Sequence, residues 1–312
     1  MQKNTKFLLD SGDPDEYKAV VKLAENAGEG LWGSTTNPSL IAKSANRRTA
    51  GKKLTIKAAF KLQKNLVLEI LSIVPGAVSA EVYADEHTTA EEMIQQGREI
   101  AAWHERVVVK LPTTMESFKA RTVLRKERIM TNNTLVFSQE QIFAICLHEY
   151  IIQKVYGPTN ELFPPFISPF VGRLDDIGEN GMSLVEHGMR IKQSFDLQLP
   201  NAKLAIWMLA ASIRKEEQLK RAIETGSELI TAPLSVYEVW FALGTKQKSL
   251  DDSSYAKGLN PLPIWTPSKE LANIDTLETF MDALTSKKLD ISHPLTEKGI
   301  DKFIQDWKAI LA

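Results

Sequence analysis

The sequence predicts a single-domain α/β fold, the (β/α)8 or TIM barrel, and three observations predict it. Eight short apolar segments read as strands, separated by spans with helical periodicity. The 312 residues are 43% hydrophobic, enough to bury a large core, and barrels of this kind run to such a length as one domain, residues 1–312. Polar and ionisable residues sit on or just past the ends of seven of the eight segments, and the C-terminal face of the strands is where such a barrel keeps its active site. Structural polar residues produce one or two such coincidences; seven point to a site.

Phe7-Leu8-Leu9-Asp10 is a strand ending on a carboxylate, and Ser11-Gly12-Asp13-Pro14 turns into a polar-faced helix reaching Asn26. Gly30 to Pro38 contains the second strand; Pro38 holds Asn37 extended, and Ser39 is placed to cap the next helix. Gly28, Gly30 and Gly33 spell G-x-G-x-x-G, but the pattern leads into a strand, whereas a dinucleotide fingerprint follows a strand and opens a helix. A long amphipathic helix covers Leu54 to Ile73, Ala77 to Tyr83 is a strand with Glu81 inside it, and Thr89 to His104 is a helix.

The fourth strand, Arg106 to Pro112, is the centre of the chain. Its three consecutive valines read as buried on both faces, and the run delivers Lys110 at its C-terminal end. An amine in dry surroundings loses the hydration that stabilises its ammonium form, so its pKa is expected to fall toward ~7–8, where the neutral amine attacks a carbonyl carbon. The other reading is a strand-end lysine with its head in solvent.

Ser117 to Arg128 is a helix whose Lys119, Arg121, Arg125, Lys126 and Arg128 are expected on a solvated face. Ile129 to Leu135 is a strand in which Asn132 and Thr134, two apart, share a face, and Gln139 to Tyr156 is helical. Phe166 to Arg173 breaks from a strand into a loop that supplies Ser168 and Arg173, both donors suited to phosphate. Lys203 to Ala211 repeats the theme, with Ser212 and Arg214 just beyond it, and Leu229 to Pro233 is the eighth strand. Gly244 to Ser268 is turn-rich. Residues from about 272 to 312 form a C-terminal helical extension, whose last helix carries Ile300, Phe303, Ile304, Trp307, Ile310 and Leu311 on one face; it is expected to pack on the barrel or on a second subunit in a homodimer.

Lys plus Arg at 38 against Asp plus Glu at 39 leaves a net charge of -1, which gives no basic field for nucleic acid or an anionic membrane, so small molecules are the expected partners. Cys146 is the only cysteine, the segment from Met1 to Asp10 lacks the apolar core of a signal peptide, and no apolar run approaches eighteen residues; a soluble, cytoplasmic protein is expected. His87, His104, His148, His187 and His293 show no ligand spacing, and neither His104-Glu105 nor His148-Glu149 continues to H-E-x-x-H, so no metal or other cofactor is expected.

The motifs FLLDSGD, STTNPSL, VSAEV, VVVKLP, NNTLVFS, ISPFVGR and AASIR, in this order and over nearly the whole chain, resemble the transaldolase family. The resemblance implies a class I aldolase-type barrel in which Lys110 forms a Schiff base with a ketose phosphate and passes a dihydroxyacetone unit to an aldose phosphate, a reaction of the pentose phosphate pathway. It implies Asp10 as the acid/base of C–C cleavage, Glu81 with Thr134 and a water as the proton carriers of imine chemistry, Asn37 and Asn132 on the dihydroxyacetone hydroxyls, and Ser168, Arg173 and Arg214 on the phosphate. Glu81 and Phe170 look like the transaldolase pattern, where the related fructose-6-phosphate aldolases carry glutamine and a tyrosine hydroxyl. Leu111 stands where isoleucine is usual.

The chemistry agrees. C–C cleavage needs an electron sink, which a protonated imine supplies without metal, and a carboxylate to take a proton one bond beyond the break. Two planar guanidinium forks suit a dianionic phosphate. Residue by residue, other readings stay open: Asp10 or Ser168 as caps, Glu81 paired with a structural arginine, Arg214 in a surface salt bridge. Two other functions also stay open, a fructose-6-phosphate aldolase-type lyase and a non-catalytic sugar-phosphate binding barrel.

Overall fold

The structure, a computed structural model, describes residues 5–157, 161–199, 203–244, 250–251 and 255–312. Eight parallel strands close into a barrel in chain order: Lys6–Asp10, Leu31–Thr35, Val78–Glu81, Val107–Pro112, Thr131–Val136, Phe166–Pro169, Trp207–Ala210 and Leu229–Ala232, the last pairing with the first. Helices alternate with the strands and cover their outer faces, so the strands are buried on both sides and read as apolar runs in the sequence. Register sets the site: Glu81 pairs with Lys110 and Lys110 with Asn132, while Asp10 pairs with Thr35, placing these side chains at the C-terminal ends of neighbouring strands.

Three sequence expectations are corrected. Asn37 caps helix Pro38–Arg48, its Oδ1 accepting from the Leu40 amide at 2.9 Å; Ser39 lies inside the first turn and donates to Asp306. The seventh strand starts at Trp207, because the Leu204 and Ala205 amides are taken by the Asp196 and Gln153 side chains and make no ladder. Arg121 and Arg125 of helix Met115–Lys126 face inward at 1% exposure each, paired with Glu149 of the neighbouring helix Gln139–Tyr156; only Lys119, Lys126 and Arg128 of that set are exposed. Part of the turn-rich expectation for Gly244 to Ser268 lies outside the described residues; residues 255–268 are irregular apart from Asn260–Pro261, which pairs with Glu179–Asn180.

The extension contains helices Leu277–Thr285 and Pro294–Lys308. The second packs on the barrel's own mouth, against helix Pro38–Arg48 and the fifth strand. Glycine at 299 permits this approach, since a Cβ there would lie 2.6 Å from Leu135 Cδ2 and 3.1 Å from Arg173 Nη1. Ile310 and Leu311 lie beyond the helix end, where the Leu54 amide donates to Ile310 and the Ala312 amide to Leu54, each at 2.9 Å. Among the described residues no helix is long and apolar enough to cross a membrane.

Candidate active site

The strand ends surround a cavity of about 210 Å³. Asp10, Asn37, Lys110, Ser168, Phe170, Arg173 and Arg214, all singled out from the sequence, line it; so do Thr35, Thr231 and Phe303, which were not.

Lys110 is 3% exposed, so the snorkelling reading fails. Its Nζ donates to the Thr36 carbonyl at 3.1 Å and lies 3.1 Å from Oε2 of Glu81, itself 5% exposed. The partner of Glu81 is therefore this lysine and no arginine. Burial pushes the Glu81 carboxyl above its ordinary range, against the pull of the Lys110 charge. Asp10 is raised for the same reason, with Lys110 and a hydrogen bond from Thr35 pulling the other way. That hydrogen bond is 2.7 Å long and spends the Thr35 proton, so the second hydroxyl, Thr231, 2.7 Å from Thr35, must be the donor to it. The chain Thr231 to Thr35 to Asp10 thus has one direction and fixes the carboxylate. Asp10 caps no helix; Asp13 does, accepting from Asp15.

Arg173, on the short helix Val171–Asp175, lies against the rings of Phe170 and Phe303, 5.7 and 5.8 Å from their centroids. Desolvation and the neighbouring Arg214 charge both lower its pKa. Two like charges drawn together in this way suit an anion between them. Arg214 is exposed and paired with Asp176, so the surface-salt-bridge reading describes its present partner even though it lines the cavity. Its side chain crosses Gly172, where a Cβ would come within 2.7 Å of Nε. Ser212, also in the cavity wall, has φ of 56°, a conformation costly for a non-glycine residue and common at functional turns.

Asn132 sits directly opposite Lys110 on the next strand and is engaged at both ends, donating to Ser79 at 3.1 Å and accepting from Ser168 at 2.7 Å. Thr134 is fully buried, outside the cavity wall, and its hydroxyl has no hydrogen-bond partner among the described residues. Glu81 borders a second cavity of about 10 Å³ with Val82, Pro112, Ile300 and Ile304, and Phe303 lines both cavities.

The missed residues left little signal. Threonine is at home in any strand, so Thr35 and Thr231 were unremarked, and Phe303 was one member of an apolar stripe. Thr231 obeys the strand-end pattern and supplies the eighth strand's contribution.

A family model described as Transaldolase/Fructose-6-phosphate aldolase matches residues 7–312. A probable transaldolase of Caldicellulosiruptor saccharolyticus is 39% identical over 233 residues, covering 75% of this chain and 88% of that protein. One of Chlorobaculum parvum is 33% identical over 301 residues, covering 96% and 97%, and one of Herpetosiphon aurantiacus is 30% identical over 305 residues, covering 98% and 96%.

Proposed function

Because the chain belongs to the transaldolase/fructose-6-phosphate aldolase family, we propose that it is a transaldolase, moving a dihydroxyacetone unit from sedoheptulose 7-phosphate or fructose 6-phosphate to an aldose phosphate through an imine on Lys110. Arg173 and Arg214, with the Ser168 hydroxyl, hold the phosphate; Asn37 and, behind Ser168, Asn132 orient the hydroxyls of the three-carbon unit. The neutral Lys110 amine adds to the ketone, and Glu81, with a water on the free Thr134 hydroxyl, moves the protons as water leaves and the imine forms. The bond between C3 and C4 then breaks: its electron pair flows to the iminium nitrogen, giving an enamine, while the C4 hydroxyl proton goes to Asp10 and the aldose phosphate departs. A second aldose phosphate enters, the enamine carbon attacks its aldehyde, and Asp10 returns the proton. Two buried carboxyls, each raised above its ordinary range by burial, are fitted to exchanging protons with a bound substrate.

The family holds both transferases and lyases, and one observation favours transfer: position 170 in the cavity wall is a phenyl ring, 8% exposed, with no hydroxyl to deliver a proton to the enamine. The enamine then waits for an acceptor. The test is fructose 6-phosphate with and without erythrose 4-phosphate. Glyceraldehyde 3-phosphate should form quickly only with the acceptor, matched by sedoheptulose 7-phosphate; free dihydroxyacetone accumulating at a comparable rate without it would make the protein a lyase.

A further inference from the structure

Resting on the transaldolase reading above, we propose that Phe303 decides whether the three-carbon enamine on Lys110 is transferred or released, by separating the water beside Glu81 from the enamine carbon. Phe303 belongs to helix Pro294–Lys308, outside the barrel, yet it is 6% exposed and enters the mouth. Its ring centroid lies 5.9 Å from Lys110 Nζ and 5.8 Å from Arg173 Cζ. It is a wall of two cavities: the larger, about 210 Å³, holds Asp10 and Lys110, and the smaller, about 10 Å³, holds Glu81. The smaller has room for about one water, and most of its other walls, Pro38, Val82, Ile300 and Ile304 among them, are apolar.

The chemistry needs water in one place and not the other. Imine formation at Lys110 expels one water and imine hydrolysis takes one back, both beside Glu81. Release of the bare three-carbon unit requires an earlier event, delivery of a proton to the enamine carbon, which restores the iminium. Water then adds across the C=N bond, the C–N bond breaks, and dihydroxyacetone departs as Lys110 regains its amine. Transfer replaces that proton by the aldehyde carbon. A ring between the two spaces leaves Glu81 its one water and denies the carbon a water chain from it. Phe303 acts here as a positioning residue, distinct from Phe170, which borders only the larger cavity.

The experiment measures dihydroxyacetone release without acceptor, divided by glyceraldehyde 3-phosphate formed with erythrose 4-phosphate present, for wild type and for Phe303→Leu, Phe303→Val and Phe303→Ala. The ratio does not depend on how much enzyme is folded, so a less stable variant still reports. We expect it to rise as the side chain shrinks, by about twofold or less for leucine and roughly tenfold or more for alanine, or for valine if the alanine variant does not fold. Ratios at the wild-type value, with only overall activity lost, would assign Phe303 to packing and overturn the proposal. Rapid release by wild type would instead remove the transaldolase reading, a separable result.

Discussion

The pairing of Lys110 with Glu81 at 3.1 Å, both nearly excluded from solvent, is the contact on which the proposed chemistry turns. Borohydride reduction in the presence of fructose 6-phosphate should leave a three-carbon adduct on Lys110 alone, read by peptide mass spectrometry; an adduct on any other lysine would refute its role. The carboxylate across the cavity carries a pH signature. Thr35 lowers the Asp10 pKa by donating to it, so Thr35→Val should raise that pKa. A base works above its pKa, and the acid limb of kcat/KM should therefore move to higher pH; an unmoved limb would show that Asp10 does not set it. The arginines are not equivalent. Arg173 is held between two rings, whereas Arg214 is exposed and already paired, so Arg173→Ala should raise KM for phosphorylated sugars roughly thirtyfold, about 2 kcal/mol, and Arg214→Ala less, with an unphosphorylated ketose nearly unaffected by either. These residues were legible because a charge at the end of an apolar strand is anomalous. Thr35 and Thr231 carry no such anomaly, and their roles emerge only when the barrel closes and brings the second strand's hydroxyl to the eighth.

At the scale of elements, strand and helix periods were readable and their partners were not. Four cations on helix Met115–Lys126, with Arg128 just past its end, look like a solvated face in any composition count. Two of them turn inward because Glu149 of the next helix stands opposite, 2.8 Å from Arg121 and 3.2 Å from Arg125, with Glu161 2.9 Å from Arg125. The legible hint was Glu149 itself, an acid that with His148 interrupts the apolar stretches 142–147 and 150–152. Glu149→Gln leaves two buried guanidinium groups short of charge, which should cost about 3–5 kcal/mol in urea unfolding while KM for sugars stays at the wild-type value. The last helix gives the opposite pattern. A methyl group at Gly299 meets Leu135 and Arg173, so Gly299→Ala should lift the helix, lowering stability by roughly 1–3 kcal/mol and raising KM with it. Its apolar stripe was visible in the sequence; its resting place over the barrel mouth was not, since a stripe says how much is buried and nothing about what it covers.

For the whole molecule, the barrel order was legible because eight apolar runs of similar length have few ways to bury both faces. The behaviour in acid was not, because it depends on which ionisable groups are buried. His148, enclosed by Phe118 and Phe280 and bonded to Thr122, has its pKa lowered from 6.5 to about 4, chiefly by burial. Between those values the unfolded chain binds a proton that the folded chain does not, so stability is full above pH 6.5 and falls toward pH 4, by on the order of 3 kcal/mol for this group. His148→Gln should flatten the slope of unfolding free energy against pH over that window by about one proton; an unchanged slope would show that the ring is protonated in the fold. The buried lysine has a consequence of another kind. Reactive carbonyl compounds attack amines in general, and an amine proposed to condense with a ketose is exposed in principle to all of them. At 3% exposure, reached through a space of about 210 Å³ and roofed by an aromatic ring, Lys110 is sieved by size. Bulky aldehydes and amine-directed dyes should spend themselves on surface lysines and reach this one last, so the burial that keeps Lys110 from solvent also keeps it from being poisoned.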